Sequence, residues 1–375
     1  MKTIICHSFP AWDTPYVKST LELITRMTGT HRVIFLDYAY TWKDYFTYPY
    51  TPKKKLLSSD PRLIPMTSGE IEVYNAAPLI PVNWTGSSII FGLIMRINAW
   101  IMGFTIRRIR KTVEDERTVL INAFNPVYGH FTKKSWKGIR SIYYCYDEIS
   151  ETIWSGKWGK IYEEKFAGTT DQIITSSETL AAKFEANHTK IHTVKNGVNL
   201  EIFSGMKQEK TKTNKLGYIG AIDERIDFGL LFRVAELLPE FDLEMVGPVK
   251  VMIPASCPSN LIFLGAKDQR DLPVFISNWD LCLIPFRKTA LTKAIYPLKI
   301  NEYLMSGKPV VTTSFTDLSE FCGLISEGDS PDAFTDRIRK EIRSNNRLKI
   351  QRRMDFAKEN SWENRTVEFL RLLAS

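Results

Sequence analysis

The stretch Pro297-Leu298-Lys299-Ile300-Asn301-Glu302-Tyr303-Leu304-Met305-Ser306-Gly307-Lys308-Pro309-Val310-Val311 places a lysine and a glutamate three residues apart in an amphipathic, helix-like pattern. Residues at i and i+3 share a helix face. A cation and a carboxylate near a helix N-terminus suit the phosphates and ribose hydroxyls of a nucleotide, since first-turn N–H groups and the helix dipole favour anions. Pro297 suits a first turn because its missing N–H has no helical partner to lose. Leu298, Tyr303 and Leu304 read as the packed side, Gly307 as the residue just past the end, and Pro309 as the stop. The competing reading is a crossover helix with a surface ion pair of little energetic weight.

Three further groups of residues are placed to do chemistry. Gly217-Tyr218-Ile219-Gly220-Ala221 reads as a strand ending in a turn, with Arg225 close behind. Backbone N–H groups of such a turn can face a pyrophosphate, and an arginine can clamp it. Tyr143-Tyr144-Cys145-Tyr146-Asp147-Glu148 ends another strand in two carboxylates. Asp147 or Glu148 is either a general base for a hydroxyl or a cap for the following helix. The loop His7-Ser8-Phe9-Pro10-Ala11-Trp12-Asp13 offers Asp13 as a second candidate base, against its reading as an N-cap, and Trp12 as a sugar-stacking or a packed ring. Asn196-Gly197-Val198-Asn199 reads as a tight turn and hinge, not as a catalytic element.

Strand and helix patterns must position these groups. Strands are expected at Thr3–His7, Arg32–Leu36, Thr118–Ile121, Ser141–Cys145 and Gln172–Thr175, with helices at Thr14–Met27, Ile89–Lys111, Gly159–Ala167 and Glu178–Glu185. The segment Ala39–Val82, rich in Tyr, Pro and Lys, reads as an extended insertion. Alternation restarts after a linker at Gln208–Asn214. Strands follow at Lys215–Ile219, Phe241–Val246, Leu261–Leu264, Leu281–Ile284 and Pro309–Thr313, with helices at Asp227–Leu238, Asp271–Ser277 and Leu298–Ser306. Such alternation predicts α/β domains with parallel sheets. Two domains suit a chain of 375 residues: 1–205, and 206–360, with a final helix over 361–375, capped by Ser361, returning to the first. Two facing Rossmann-like domains place their strand ends, and hence ligands, across a cleft. Neither half has a GxGxxG motif, which disfavours a dehydrogenase.

Composition removes other classes. The five cysteines are scattered without a CxxC pair, which argues against a disulfide framework and fits a reducing cytoplasm; the five histidines make no metal constellation. Met1-Lys2 leads directly into the first strand, with no signal-peptide pattern. Net charge is +8, with basic runs at Lys53–Lys55, Arg107–Lys111 and Lys133–Lys134. No nucleic-acid-binding signature accompanies them, so nucleic acid is not an expected partner. Arg96 and Asn98 interrupt the apolar run Ile89–Ile106, which reads as an interfacial or packed helix rather than a spanning one. Basic residues beside Trp84, Phe91, Trp100 and Phe104 suit an anionic membrane surface, through residues 84–111, or the solvated end of a packed helix.

The ordered motifs resemble those of the bacterial GT-B glycosyltransferases close to family 4. They are Asp171–Ser177, Val194–Asn199 with Phe203, Gly220 to Asp227, Met245–Pro248, Asn260–Gly265, Trp279-Asp280 through Phe286, and Pro297–Val311. The resemblance implies a GT-B fold and transfer of a sugar from a nucleoside diphosphate, UDP or GDP, to a hydroxyl of a glycan or lipid-linked glycan in cell-surface polysaccharide synthesis. It implies that Glu302 holds the ribose, that Lys299, Pro297 and the Gly220-Ala221 turn face the diphosphate with Arg225, and that Phe263 and Gly265 flank the base. No cofactor beyond the nucleotide-sugar is implied. The chain has no DxD triplet to hold a metal, so helix N-termini, Lys299 and Arg225 have to supply the charge. The family commonly has a second glutamate eight positions before the ribose-binding one; here that position is Ala294, and the first domain lacks the usual glycine-rich opening loop. A related GT-B group lacks that glutamate, keeps a Pro-x-Lys segment and inverts with a first-domain aspartate, a role open to Asp147. The alternatives are a GT-B nucleotide-sugar epimerase, which needs cleft acids and histidines, and a non-enzymatic membrane-surface adaptor.

Overall fold

The computed structural model describes residues 2–14, 19–56, 58, 60–151, 156–205 and 212–374. The expected linker falls mostly outside them. By internal packing the chain forms two units, Met1–Lys195 with Thr366–Ser375, and Asn196–Arg365.

The first unit is built on eight strands: β1 (Thr3–Ser8), β2 (Arg32–Leu36), β3 (Arg62–Met66), β4 (Gly69–Tyr74), β5 (Thr118–Ala123), β6 (Arg140–Cys145), β7 (Gln172–Thr175) and β8 (Ile191–Thr193). Their order is β3-β4-β2-β1-β5-β6-β7-β8. Every pairing is parallel except β3 with β4. Helices cover both faces, so the central strands are apolar throughout, as Ile4-Ile5-Cys6 and Val33-Ile34-Phe35-Leu36 are. The long helix Ser88–Arg110 lays Met102, Ile106 and Ile109 on Ile5, Ile34 and Leu120.

The expectation of an extended insertion over Ala39–Val82 is corrected. That segment holds the helices Trp42–Thr47 and Lys53–Leu56 and the β3–β4 hairpin, which extends the sheet edge. Thr41 and Asp44 form a capping box that starts the first helix. The hairpin turn, Thr67-Ser68, has none of the usual Asn-Gly or Gly-Gly turn chemistry, and Pro65 is tolerated because β3 is an edge strand.

The second unit has six parallel strands: β9 (Lys215–Ile219), β10 (Asp242–Val246), β11 (Leu261–Gly265), β12 (Leu281–Ile284), β13 (Val310–Thr312) and β14 (Ser326–Glu327), in the order β11-β10-β9-β12-β13-β14. Packing places the boundary at 195/196, ahead of the expected 205/206. Val198 accounts for this: its N–H donates to the Asn360 carbonyl at 2.9 Å, and its carbonyl accepts from Trp362 N at 3.1 Å. Phe203 is fully buried in this unit's core. A β-carbon on Gly197 would stand 2.6 Å from Trp362 N. Asn196–Asn199 is therefore a tied crossing of two chain segments, with Asn199 capping the helix Leu200–Phe203. The polar helices Pro331–Ser344 and Arg347–Glu359, absent from the sequence reading, complete the unit.

The last helix, Trp362–Ala374, begins as expected, with Ser361 Oγ accepting from Asn364 N at 3.3 Å. Its end joins the first unit. The Phe369 ring meets Tyr144 edge-on at 5.4 Å, and Arg140 donates to the carbonyls of Leu372 and Leu373.

Two glycines test this packing in opposite senses. A β-carbon on Gly217 in β9 would overlap the buried Trp279 ring, whereas one on Gly92 in the helix Ser88–Arg110 meets nothing within 4 Å. Gly217→Ala is expected to destabilise by about 2–3 kcal/mol or more. Gly92→Ala is expected to stabilise by up to about 1 kcal/mol. Urea unfolding of the two variants checks both signs.

Candidate active site

In the second sheet the chain steps outward from β9 to β10 and β11, then reverses to lay β12, β13 and β14 on the other side. Ligands of open α/β sheets bind outside the carboxyl ends of the strands at that reversal. Gly220 follows β9 there, Phe286 lies just past β12, and the helix Leu298–Met305 presents Lys299 between them. The Lys299 ammonium lies 5.5 Å from the Phe286 ring centre and 5.6 Å from that of Tyr218. Gly220 has φ 138°, in the region that favours glycine, and a β-carbon on it would overlap Lys299 Cε. Gly247, past β10, packs as closely: its β-carbon would overlap the Gly220 carbonyl.

The helix is fixed at both ends. β12 pairs with only the first part of β9, and Tyr303 supplies the missing acceptor, its Oη taking the Ile219 N–H at 2.8 Å. At the other end Gly307 has φ 69°; its N–H donates to Leu304 O and that of Lys308 to Tyr303 O, the Schellman pattern. The buried Lys308 ammonium then bonds the carbonyls of Ser277 and Trp279. The first turn departs from expectation. Leu298 N donates to Tyr296 O and Ile300 N to Pro297 O, so two of the N–H groups expected to face phosphate are used internally.

Burial, and then the nearby Arg225 charge, lower the Lys299 pKa to about 8, while Glu302 and Asp223 act in the opposite direction. Arg225 is in the expected loop. Its guanidinium is bidentate on Asp223, Nε to Oδ1 at 2.8 Å and Nη2 to Oδ2 at 2.6 Å. Burial would raise the Asp223 carboxyl, but the Arg225 hydrogen bonds and charge outweigh it and hold the pKa low. Asp223, Tyr218 and Phe286 lie within motifs read in the sequence but were given no role there; for Asp223 the signal was an acid two residues before Arg225. Glu302 is buried on the same helix. The Ala221 carbonyl accepts from Tyr218 Oη at 3.1 Å. Phe263 and Gly265 lie at the end of β11, two strands from Gly220, where Gly265 O accepts from Gly247 N at 2.9 Å. Ala294, in the place of the family's second glutamate, is buried in the short helix Ala290–Ala294.

The carboxyl edge of the first sheet holds the other candidates. Asp147, just past β6, is partly exposed, and its Oδ1 accepts from Glu148 N at 2.9 Å. For Glu148 the capping reading holds. Its carboxylate accepts from Ser150 N and Oγ at the turn Ile149–Glu151 and pairs with Lys183 at 2.7 Å. Lys183 also pairs at 2.5 Å with the fully buried Glu163, which accepts from Tyr143 Oη at 2.6 Å. Asp13 pairs with Arg62 at 2.7 Å, which weakens its candidacy as a base; Thr14, the expected start of the next helix, is not helical, and residues 15–18 of that expected helix lie outside the described residues. Arg62 also reaches Asp37 at 3.3 Å. Asp37, absent from the sequence reading, is fully buried at the end of β2 and accepts from Trp12 N, Tyr38 N and Asn75 Nδ2 at 2.7–2.8 Å. Burial raises its pKa to about 6 against those bonds. The Trp12 ring is packed edge-on against Phe35 at 5.3 Å rather than presented for stacking. Among the described residues no three His, Cys, Asp or Glu side chains converge as a metal site.

A two-unit chain of largely parallel α/β sheets, with Lys299 and Arg225 gathered beside bare glycine backbone at the reversal of the second sheet, is the GT-B class of fold. The comparisons agree. Residues 213–344 match the family model described as glycosyl transferases group 1. The chain is 30% identical over 206 residues to the putative teichuronic acid biosynthesis glycosyltransferase TuaH of Bacillus subtilis (strain 168), covering 50% of this chain and 52% of that protein. It thus spans about half the length of that curated relative. Among solved structures, sucrose-phosphate synthase from Thermosynechococcus elongatus superposes with a TM-score of 0.71 at 12% identity, over 100% of this chain and 98% of that one. Anabaena HepE in complex with UDP and glucose gives 0.65 at 13% identity, over 100% of both chains. At such identities the likeness is one of fold.

The lowering of the Lys299 pKa to about 8 makes a specific prediction. The lysine's charge is largely present below pH 8 and lost above it, so affinity for a nucleoside diphosphate should be nearly full at pH 7 and fall as the pH rises above 8. Calorimetric titration of UDP and GDP should show this fall in the wild type and a flat profile in Lys299→Met.

Proposed function

We propose that this protein is a glycosyltransferase moving a sugar from a UDP- or GDP-sugar to a hydroxyl of a glycan or lipid-linked glycan acceptor in cell-surface polysaccharide synthesis. The observation that carries this reading is the half-buried Lys299, its pKa lowered by desolvation, against Gly220 at the reversal of the second sheet, within the segment that matches the group 1 model. A lysine held in so poor a solvent is relieved by an anion, and a diphosphate supplies one. The relatives' names support the same direction: one concerns teichuronic acid biosynthesis, the other is a complex with UDP and glucose.

In this reading the second unit binds donor. Lys299 and Arg225 face the diphosphate, the Pro297 and Gly220-Ala221 backbones wall it, Glu302 takes the ribose hydroxyls, and Phe263 with Gly265 borders the base. The first unit binds acceptor. Asp147 takes the acceptor hydroxyl proton as the oxygen bonds to the sugar's anomeric carbon. The bond from that carbon to the diphosphate oxygen breaks, and its electrons leave on the diphosphate. Lys299 and Arg225 stabilise the charge that develops there, the work that a bound metal does in other sugar transferases. The absence of a glutamate at Ala294 favours inversion through Asp147. Its workplace is the cytoplasmic face of the membrane, reached through residues 84–111; nucleic acid is not a partner.

A thermal-shift panel of UDP, GDP, CDP and their sugars should raise the midpoint with one nucleotide family, since ligands that bind only the folded state stabilise it. No shift with any of them removes the donor site. Asp147→Asn should lower sugar transfer by about 100-fold or more with donor binding unchanged; near-normal turnover removes Asp147 as the base.

A further inference from the structure

The helix Ser88–Arg110 is by length and composition apolar enough to cross a membrane. It does not stand free to do so. Phe91, Met95, Met102, Ile106 and Ile109 form a buried face, with the Phe91 ring stacked on Trp158 at 4.5 Å. The buried Asn98 side chain brackets Ile80, accepting from its N–H at 2.8 Å and donating to its carbonyl at 2.9 Å. Spanning would tear out this face.

The opposite face is the unusual one. Ile89, Leu93, Ile97, Trp100 and Phe104 follow a helical i, i+3, i+4 spacing and are all exposed, Ile89 by 82% and Trp100 by 63%. Trp84, 70% exposed, extends the patch beyond the N-terminus. Monomeric proteins seldom leave so contiguous an apolar stripe in water. Cations border it. With 3.6 residues per turn, Arg96 and Arg108 fall on its two edges, while Arg107 and Lys111 continue it at the C-terminal end. The Arg107 guanidinium lies 4.6 Å from the Phe104 ring centre. Aromatic and aliphatic side chains in a row with arginines at their margin match the layered chemistry of a bilayer interface, apolar inward and anionic outward.

A second observation lies beside the helix N-terminus. A cavity of about 310 Å³ opens where the first sheet reverses between β1 and β5, lined by Phe9, Tyr38, Tyr128, Trp158, and by Trp84 and Phe91 from the patch and its helix. Phe124, next to it, holds φ 53°, rare for a bulky residue, with its ring 6.3 Å from Phe9. The place where such a sheet binds its ligand is thus continuous, through Trp84, with the exposed apolar face.

We infer that the outer face of this helix seats the first unit on an anionic lipid bilayer, lying in the headgroup layer without crossing it, and that the adjoining aromatic cavity receives the head of an acceptor whose lipid stays in that bilayer. The second clause rests on the transferase reading; the first does not.

Flotation of the full chain with phosphatidylcholine vesicles, with and without phosphatidylglycerol, tests it. Binding is expected with phosphatidylglycerol, weakening as salt rises. Ile89→Ser/Leu93→Ser/Trp100→Ser, at exposed positions, should abolish flotation. Arg107→Glu/Arg108→Glu/Lys111→Glu should reduce it by roughly a hundredfold or more. The UDP thermal shift should survive in both variants, which separates failure of docking from failure of the donor site. The inference is overturned by wild-type protein that stays with the soluble fraction at low salt, by equal flotation of the serine variant, or by a wild-type dimer that the serine variant dissolves without any lipid binding. Loss of flotation in the serine variant with its transfer to a lipid-linked acceptor in vesicles no lower than its transfer to a water-soluble one overturns the clause about the cavity.

Discussion

Lys299 lies where side chains at Gly220 would otherwise be, and much of the second unit is arranged so that it can. A β-carbon on Gly220 overlaps the lysine, and one on Gly247 overlaps Gly220, so two successive strand ends are bare backbone in contact. The helix carrying the lysine is fixed to β9 by Tyr303 and ended by Gly307. Asp223 holds the Arg225 guanidinium nearby, 5.5 Å from the Phe286 ring that also faces Lys299. The four charges Lys299, Arg225, Asp223 and Glu302 balance formally. The lysine is nevertheless short of solvation, and its lowered pKa expresses that deficit. A diphosphate entering here is therefore favoured by removing a desolvation cost rather than by excess charge.

The first unit is organised around a different buried charge. Asp37 gathers the β1 loop through Trp12 N, its own strand end through Tyr38 N, and Asn75, the residue after β4, while Arg62 of β3 joins it to Asp13. A single carboxylate thus ties three strand ends to the edge hairpin. A raised pKa of about 6 means that the folded state holds this proton more tightly than the unfolded chain does. Its contribution to stability is present at low pH and is lost as the pH rises through 6. The fully buried His7 acts in the opposite sense: burial lowers its pKa to about 4, so its contribution is lost as the pH falls from 6.5 towards 4.

How much of this was legible in the sequence follows from burial. Strands covered on both faces are unbroken apolar runs, and Arg32–Leu36, Gln172–Thr175, Lys215–Ile219 and Leu281–Ile284 have the ends expected of them. The helix Leu298–Met305 was legible because Pro297, Gly307 and Pro309 punctuate it locally. The β3–β4 hairpin was not, because its turn carries no glycine or asparagine and its register comes from β2. Asp37 and Asp223 were given no role for a related reason: Asp37 acquires its role from donors 25–38 residues away and Asp223 from a loop bend that folds Arg225 back onto it, and residue type alone encodes neither. The boundary at 195/196 rests on Val198 meeting Asn360 and Trp362, a contact between distant segments. For Glu148, Lys183 decided between base and cap from 35 residues away.

The most direct test of the account is the titration of the Lys299 ammonium itself, followed by NMR on protein labelled at lysine, with Lys299→Arg to assign the signal. The account predicts a pKa near 8 in the free protein, rising by about one to three units when UDP or GDP is bound. A lysine that titrates in the ordinary range in the free protein, or one that does not move when either nucleotide saturates the chain, would contradict it.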